Sequence, residues 1–173
     1  MKKILIFIML LAPMSMLAQK FGYVNSAELV QLMPEFAQAQ KKLQDLEKKY
    51  SDDFNAMRTE LEKKGTEFEK LQQDSVPENI LKRRYEDLLQ MEQRLQQYGQ
   101  EISANLANAE QQEMLAIQTK LRDALDAVGR EGSYVCIFDL AGGMPYVSKT
   151  LCEDVSMKVR TKLGIPANAT PAK

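Results

Sequence analysis

The chain has 173 residues, of which 45% are hydrophobic and 27% are charged. That composition excludes a disordered polyelectrolyte and a protein with many membrane spans. Lys and Arg total 23 against 24 Asp and Glu, so the formal charge of −1 does not indicate a nucleic-acid partner. The sequence contains no His, which removes Ser-His-Asp and Cys-His nucleophile pairs and every His-ligated metal site.

Residues 1–18 have the pattern of a cleaved secretory signal. Two lysines supply the positive start, an apolar run covers residues 4–12, and Ala18 supplies a small residue before Gln19. About nine helical residues span roughly 14 Å, half of a bilayer core, so the run is too short for a permanent membrane helix. The sequence predicts export and cleavage between Ala18 and Gln19. The alternative is an uncleaved N-terminal anchor.

The segment after the leader predicts a strand and a short helix. Residues 21–24 have the composition of a strand, and it ends at Asn25. Asn25 and Glu28 have the spacing of a capping box, which opens a helix that runs through Leu32 and stops before Pro34.

The middle of the sequence predicts two long helices. Residues 35–73 contain no Pro and a single Gly, and their apolar residues recur at steps of mostly three, four or seven. A turn at residues 74–77 leads into a second helix with the same period, which runs to about Val128. Lys64 interrupts the first apolar seam beside Gly65, which favours a local bend or loosening there. Two long helices joined by a short turn predict an antiparallel hairpin.

The C-terminal part predicts further strands and a closing helix. Residues 134–138 are apolar on both faces, which predicts a strand buried between layers. Residues 141–144 predict a turn into a returning strand at 145–148, and the two strands would form a β-hairpin. A four-residue spacing predicts the closing helix, carried by Leu151, Val155, Val159 and Leu163.

These elements predict an α+β fold in which a long antiparallel helical hairpin is inserted into a small α/β domain. The predicted segments are a signal peptide at 1–18, a strand and short helix at 19–34, the hairpin at 35–129, a β-hairpin and closing helix at 130–164, and a flexible tail at 165–173. The small domain has roughly 60 residues after cleavage of the leader, too few to bury enough apolar surface for a stable core on their own. We therefore expect several copies of the chain to share one core.

Two cysteines, Cys136 and Cys152, have two interpretations. In an oxidising compartment they would close a loop of about 16 residues, and a disulfide there would stabilise the fold by roughly 3 kcal/mol. The other interpretation is two small residues that never meet. Cys136 lies in the predicted strand and Cys152 near the start of the predicted closing helix, so the geometry of the fold decides.

The order of these elements resembles that of the Skp (OmpH-like) family of periplasmic chaperones. The matching stretches are Phe21-Gly22-Tyr23-Val24-Asn25, the Lys-, Glu- and Gln-rich hairpin, Tyr134-Val135-Cys136-Ile137-Phe138 and Thr150-Leu151-Cys152-Glu153-Asp154-Val155. The resemblance covers nearly all of residues 20–164. It implies a homotrimer whose strands form a central β-barrel and whose three helical tentacles enclose a cavity. It also implies that unfolded outer-membrane β-barrel proteins are held there without ATP.

Client contacts are expected from apolar side chains that the hairpin seam cannot fully cover. The candidates are Phe54, Met57, Phe68, Leu81, Tyr85 and Met91. The alternative for each of them is packing within the hairpin. The ten Met of the chain suit a holdase, because Met packs without demanding a fixed shape.

Lys82, Arg83 and Arg84 are three adjacent cations near the predicted turn. The resemblance implies peripheral contact with an anionic lipid or lipopolysaccharide at this place. The alternative is an ordinary solvated helix face. Asp74-Ser75-Val76 also resembles an O-glycosylation triplet of some Gram-negative bacteria, and a helix-capping Ser explains it equally well.

No group of residues in the sequence indicates catalysis, a metal site or a cofactor. Carboxylate pairs such as Asp52 and Asp53 are adjacent on a helix and point apart, which does not suit acid–base work. The sequence therefore predicts a non-enzymatic holdase. The alternatives are a structural coiled-coil tether and a dedicated adaptor of the cell envelope, which would bind a folded partner and ignore unfolded proteins.

Overall fold

The computed structural model describes residues 19–74, 76–166 and 168–170. The elements are β1 (Lys20–Val24), α1 (Ser26–Leu32), α2 (Pro34–Gln73), α3 (Glu78–Glu131), β2 (Tyr134–Asp139), a 3-10 turn (Leu140–Gly142), β3 (Cys152–Asp154) and α4 (Ser156–Leu163). The predicted signal peptide at 1–18 and the residue Ser75 lie outside the described residues.

The chain divides into two compact units. One unit comprises the described residues up to Ala37 and from Ala116 onward, and we call it the body. The other, Gln38–Leu115, we call the arm. The fold is thus mostly helical with a small sheet, in agreement with the predicted α+β class.

The predicted N-terminal cap of α1 is confirmed. Asn25 Oδ1 accepts a hydrogen bond from the backbone N–H of Glu28 at 3.4 Å, and Asn25 Nδ2 donates to Glu28 Oε1 at 2.7 Å. These bonds satisfy one of the donors that a helix start leaves unpaired. The helix ends at Leu32, and Pro34 opens α2, where its missing N–H costs nothing.

The body contains a three-stranded parallel sheet in the order β2-β1-β3. Phe21 of β1 is level with Cys136 of β2 on one side and with Cys152 of β3 on the other. The predicted β-hairpin is therefore wrong, because residues 145–148 form no strand and both outer strands run parallel to β1. Parallel strands need a crossover instead of a tight turn, and residues 140–151 connect β2 to β3 on the other side of β1.

The core of the body lies on one face of this sheet. The most deeply buried side chains are Val24, Leu29, Met33, Val155 and Val159. Gly22 of β1 permits the close approach of the segment before α4, because a Cβ at Gly22 would lie only 3.0 Å from Val155 Cγ1. A larger residue at this position would push that segment away from the sheet.

The closing helix is shorter than the sequence predicts. α4 begins at Ser156, whose backbone N–H donates to Asp154 Oδ1 at 2.9 Å. Leu151 belongs to the predicted helix by its spacing, but it is 80% exposed and lies before β3. Only the later positions of the series, beginning with Val155, face the core.

The arm consists of two antiparallel helical segments. Three contacts between α2 and α3 define their register, namely Lys42 with Glu113, Asp53 with Tyr98, and Phe68 with Tyr85. Among the described residues of the arm, Ala39 is the only buried one. α2 continues as one helix through Lys64 and Gly65, and the local bend or loosening there stays a prediction.

Candidate functional surfaces

All six predicted client-contact residues lie in the arm. Five of them are half-buried, namely Phe54, Met57, Phe68, Leu81 and Met91. The sixth, Tyr85, is 52% exposed, and its ring centroid lies 6.1 Å from that of Phe68. Packing within the hairpin therefore covers part of each side chain and leaves the rest accessible. Their contact with a client stays a prediction.

A cavity of about 300 Å³ lies between α2 and α3 in the part of the arm next to the turn. Its apolar lining consists of Phe68, Leu71, Leu88 and Met91. The volume is at the lower end of the range for small-ligand pockets. The structure thus brings Phe68 and Met91 of the predicted set to one place, while Phe54 and Met57 do not line this cavity.

Sequence reasoning missed several exposed apolar residues on α3. Ile80 is 43% exposed, Leu89 is 40% exposed and Leu115 is 62% exposed. Leu89 lies one turn from Tyr85 on the same helix side, because side chains four residues apart are neighbours on a helix. The signal was present in the sequence, since Leu89 follows the seam residue Leu88 and therefore falls outside the seam.

The predicted lipid-contact residues Lys82, Arg83 and Arg84 are all exposed. Arg84 Nη1 lies 4.0 Å from Asp87 Oδ2, and the Arg84 side chain also lines the cavity of the arm. Within the described residues Lys82 and Arg83 form no ion pair. Successive helical residues are about 100° apart, so the three cations do not form one flat face. Lipid contact stays a prediction.

The second face of the body sheet carries apolar side chains that remain accessible. Phe21 and Phe138 stack with ring centroids 6.1 Å apart and planes at 17°, and both are half-buried. Because side chains alternate between the two faces of a strand, Phe21 and Phe138 lie on the face away from the core. Tyr23 and the exposed Cys136 lie on that same face. We call these four residues the open sheet face. The prediction that residues 134–138 are buried between two layers is not met within one chain, where β2 is an edge strand.

The crossover loop adds apolar surface beside the open sheet face. A cavity of about 490 Å³ lies between Tyr23 and loop residues that include Met144 and Tyr146. Tyr146 is 77% exposed. The body therefore presents an extensive apolar surface on the side of the sheet that its own core does not use.

Cys136 and Cys152 are both free thiols. Each is level with Phe21, but on opposite sides of β1. Strands lie about 4.8 Å apart, so two Cα atoms separated by an intervening strand are about 9.6 Å apart. A disulfide requires less than about 7 Å. Of the two interpretations, the strand order therefore favours two cysteines that do not meet within one folded chain. Cys152 also lies on β3 and not at the start of the closing helix.

A polar cluster joins the three strands to α4. Lys158 Nζ donates to Glu153 Oε1 at 2.5 Å, Tyr134 Oη donates to Glu153 Oε2 at 2.5 Å, and Lys20 Nζ lies 3.2 Å from that second oxygen. The hydrogen bond from Lys158, followed by those from Tyr134 and Lys20, lowers the pKa of Glu153 to about 2. The hydrogen bond to Glu153 in turn raises the pKa of Lys158. Each group is paired, so the arrangement is that of a structural clasp.

The described residues contain no group of three or more acidic or Cys side chains arranged to hold a metal ion. In the same part of the chain, no helix combines the length and apolar character that a membrane span needs.

Comparison with known proteins identifies the family. The model of the family "Outer membrane protein (OmpH-like)" matches residues 20–163. A solved structure assigned to the OmpH-like outer membrane chaperones, from Caulobacter crescentus CB15, is similar with a TM-score of 0.72 and 13% sequence identity. The similarity covers 90% of this chain and 89% of that one, and at this identity it shows the fold alone. No curated protein matches the sequence. The resemblance predicted from the order of the elements is thus confirmed, and the chain belongs to the OmpH-like family.

Proposed function

We propose that this protein is an ATP-independent holdase chaperone of the periplasm that binds unfolded outer-membrane β-barrel proteins and prevents their aggregation. Membership of the OmpH-like family and the fold shared with an OmpH-like chaperone support this activity. The observation that carries the proposal is the arm, where apolar side chains along both helices stay half-buried and Ala39 is the only buried residue described. Many weak and adaptable contacts suit clients without a fixed shape.

The proposed active form is a homotrimer. Phe21, Tyr23 and Phe138 on the open sheet face are apolar and accessible in one chain, and exposed apolar patches of this kind mark interaction sites. Further copies of the same chain would cover them and complete a shared barrel-like core. Three arms would then enclose a cavity and act together, which raises the effective concentration of weak contacts.

The proposed function requires neither a cofactor nor a catalytic group, since holding a client makes and breaks no covalent bond. Export through the predicted leader at residues 1–18 would place the protein in the periplasm. Lys82, Arg83 and Arg84 are proposed to contact anionic membrane surfaces peripherally, in a manner that salt weakens.

An aggregation assay tests the proposal. A urea-unfolded outer-membrane β-barrel protein is diluted into the mature chain, residues 19–173, without nucleotide, and light scattering is followed as the chain concentration rises. We expect suppression that saturates near one client for every three chains. Two controls give the background. In one, a globular protein is unfolded and diluted in the same way, and in the other, a matched amount of serum albumin replaces the chain.

Unchanged aggregation at a several-fold excess of chains would contradict the holdase activity. The working hypothesis would then be the coiled-coil tether or the dedicated adaptor. Suppression that saturates near one client for each chain would retain the holdase but contradict the trimer.

A further inference from the structure

The cavity of the arm has a charged rim with a regular arrangement. α2 contributes Glu60, Lys64 and Glu67, and α3 contributes Arg84, Asp87 and Arg94. Each helix therefore presents alternating signs along its edge of the cavity. The order is acid, base, acid on α2 and base, acid, base on α3.

The antiparallel register places opposite charges level with each other across the cavity. Extending the register of the Asp53–Tyr98 contact pairs Lys64 with Asp87 and Glu67 with Arg84. Within the described residues, however, no ion pair or hydrogen bond joins these pairs across the cavity. Arg84 contacts Asp87 on its own helix at 4.0 Å, and Arg94 Nε donates to its own helix at Gln90.

A ligand in this cavity would therefore meet apolar walls and, at the rim, both donors and acceptors. An anionic ligand would face three carboxylates and a cationic ligand three cations, so neither complements the rim. An extended polypeptide does complement it, because each residue carries one N–H donor and one C=O acceptor. Carboxylates accept from the N–H groups, while Lys and Arg donate to the carbonyl oxygens.

We propose that this cavity is a socket for one apolar side chain of an extended polypeptide segment, whose backbone the alternating rim charges bind. The proposal rests on the holdase function and names the place and the kind of segment that each arm holds. In an extended chain, successive side chains point to opposite sides, so the neighbours of the inserted residue point to solvent. Segments that alternate apolar and polar residues, as the strands of transmembrane barrels do, therefore fit the socket.

The size of the cavity agrees with a single side chain. A dry cavity of roughly 150 Å³ is enough for a benzene-sized group, and this one has about 300 Å³. Burying one Leu or Phe side chain changes a dissociation constant by about 10- to 100-fold. A socket of this strength releases its client easily when it acts alone and holds it when several sockets act together.

Two peptides and a pair of matched variants test the socket. One labelled 12-residue peptide alternates Leu and Thr, and its isomer has the same composition in a helical period. Fluorescence anisotropy with the mature chain measures both dissociation constants. We expect the alternating peptide to bind at least about tenfold more tightly, because only it presents a single apolar side chain between backbone groups that the rim can reach.

Met91→Ala removes an apolar wall of the socket, and Ile102→Ala is its control. Ile102 lies 11 residues after Met91 on the same side of α3. It is half-buried and does not line the cavity. We expect Met91→Ala to raise the dissociation constant of the alternating peptide about tenfold and Ile102→Ala to change it less than about twofold. Equal effects of both variants, or equal binding of both peptides, would overturn the socket.

Rim variants keep the test valid if Met91→Ala unfolds the arm. Lys64→Gln combined with Asp87→Asn neutralises one facing pair, and Lys63→Gln changes an exposed neighbour that does not line the cavity. We expect the double variant to weaken peptide binding several-fold and the control to leave it unchanged. Weaker binding to phosphatidylethanolamine vesicles with unchanged peptide binding would instead assign the cavity to a lipid headgroup and overturn the proposal. Aggregation suppression by the unaltered chain, measured in parallel, separates failure of the socket from failure of the holdase.

Discussion

The body and the arm use the same kinds of apolar residues and reach very different degrees of burial. In the body, Val155 and Val159 are 0% exposed and Leu29 is 2% exposed. In the arm, the single buried residue among those described is Ala39. The difference follows from the number of elements that meet, because the body packs a sheet against helices while the arm packs one helix against one other. Apolar spacing alone therefore does not create a core, and the arm keeps accessible the side chains that the proposed holdase activity would use.

Removing one apolar side chain from each region measures how much its burial stabilises the fold. Leu29→Ala in the body should lower the free energy of unfolding by about 2–4 kcal/mol, because it leaves a cavity in a close-packed core. Leu46→Ala in the arm should cost about 1 kcal/mol or less, since the half-buried side chain already contacts water. Urea unfolding followed by far-UV circular dichroism measures both values. Equal costs would mean that the arm has a core of its own.

The open sheet face is the part of the body that resembles the arm in exposure, and a charge placed there tests whether further copies cover it. We expect Phe138→Asp to reduce the mass in solution from that of the proposed trimer to that of one chain, because burying an unpaired carboxylate would raise the dissociation constant by more than about 100-fold. Light scattering after size-exclusion chromatography measures the mass. Phe138→Leu keeps the apolar character and should leave the mass unchanged. A Phe138→Asp protein that stays trimeric would place the contact between copies elsewhere.

The helices were predictable because their signals are local. The predicted helix at 35–73 compares with α2 at Pro34–Gln73, and the predicted end near Val128 compares with Glu131. The strand partners were not predictable in the same way. Residues 145–148 are apolar enough for a strand, but pairing depends on which distant segment is free beside β1. The three-residue strand β3 takes that place, and it is too short to show a period.

Among the candidate contact residues, too, those with a local sequence signal were predictable and those that depend on long-range packing were not. Phe68, Tyr85 and Met91 were predicted from the seam, and the structure places all three in the arm near its turn. The charged rim of the cavity was not predicted. Glu67 and Asp87 look like ordinary solvated charges in the sequence, because only the structure shows that they line one cavity.

Glu153 offers a smaller test, since it clasps the body through exposed groups. Its pKa is lowered from 4.5 to about 2, chiefly by the hydrogen bond from Lys158. A group with a depressed pKa stabilises the folded state above its unfolded pKa, and that contribution is lost as pH falls through the folded pKa. We therefore expect Glu153→Gln to lower the Tm at pH 7 and the difference from the unaltered chain to vanish between about pH 4.5 and pH 2.

Thermal circular dichroism across this pH range measures the effect of Glu153→Gln. Glu69→Gln is the control, because Glu69 is exposed and has no ion pair within the described residues, so its Tm difference should stay near zero. Added salt should shrink the effect of Glu153→Gln, since exposed ion pairs are screened. A difference that persists unchanged at pH 2 would show that Glu153 contributes packing and not charge.

The smallest expected effect concerns the two thiols, and it tests the strand order on which the description of the body depends. Oxidised glutathione added to the folded mature chain should produce no Cys136–Cys152 bond within a chain and should leave the Tm unchanged, because β1 separates the two residues. The same treatment in urea should form the bond, since an unfolded chain easily closes a loop of about 16 residues. Mass spectrometry of the digested monomer measures the bond, with Cys152→Ser as the control. A bond formed in the folded state would mean that β2 and β3 are neighbours, and the open sheet face would then have to be assigned to other residues.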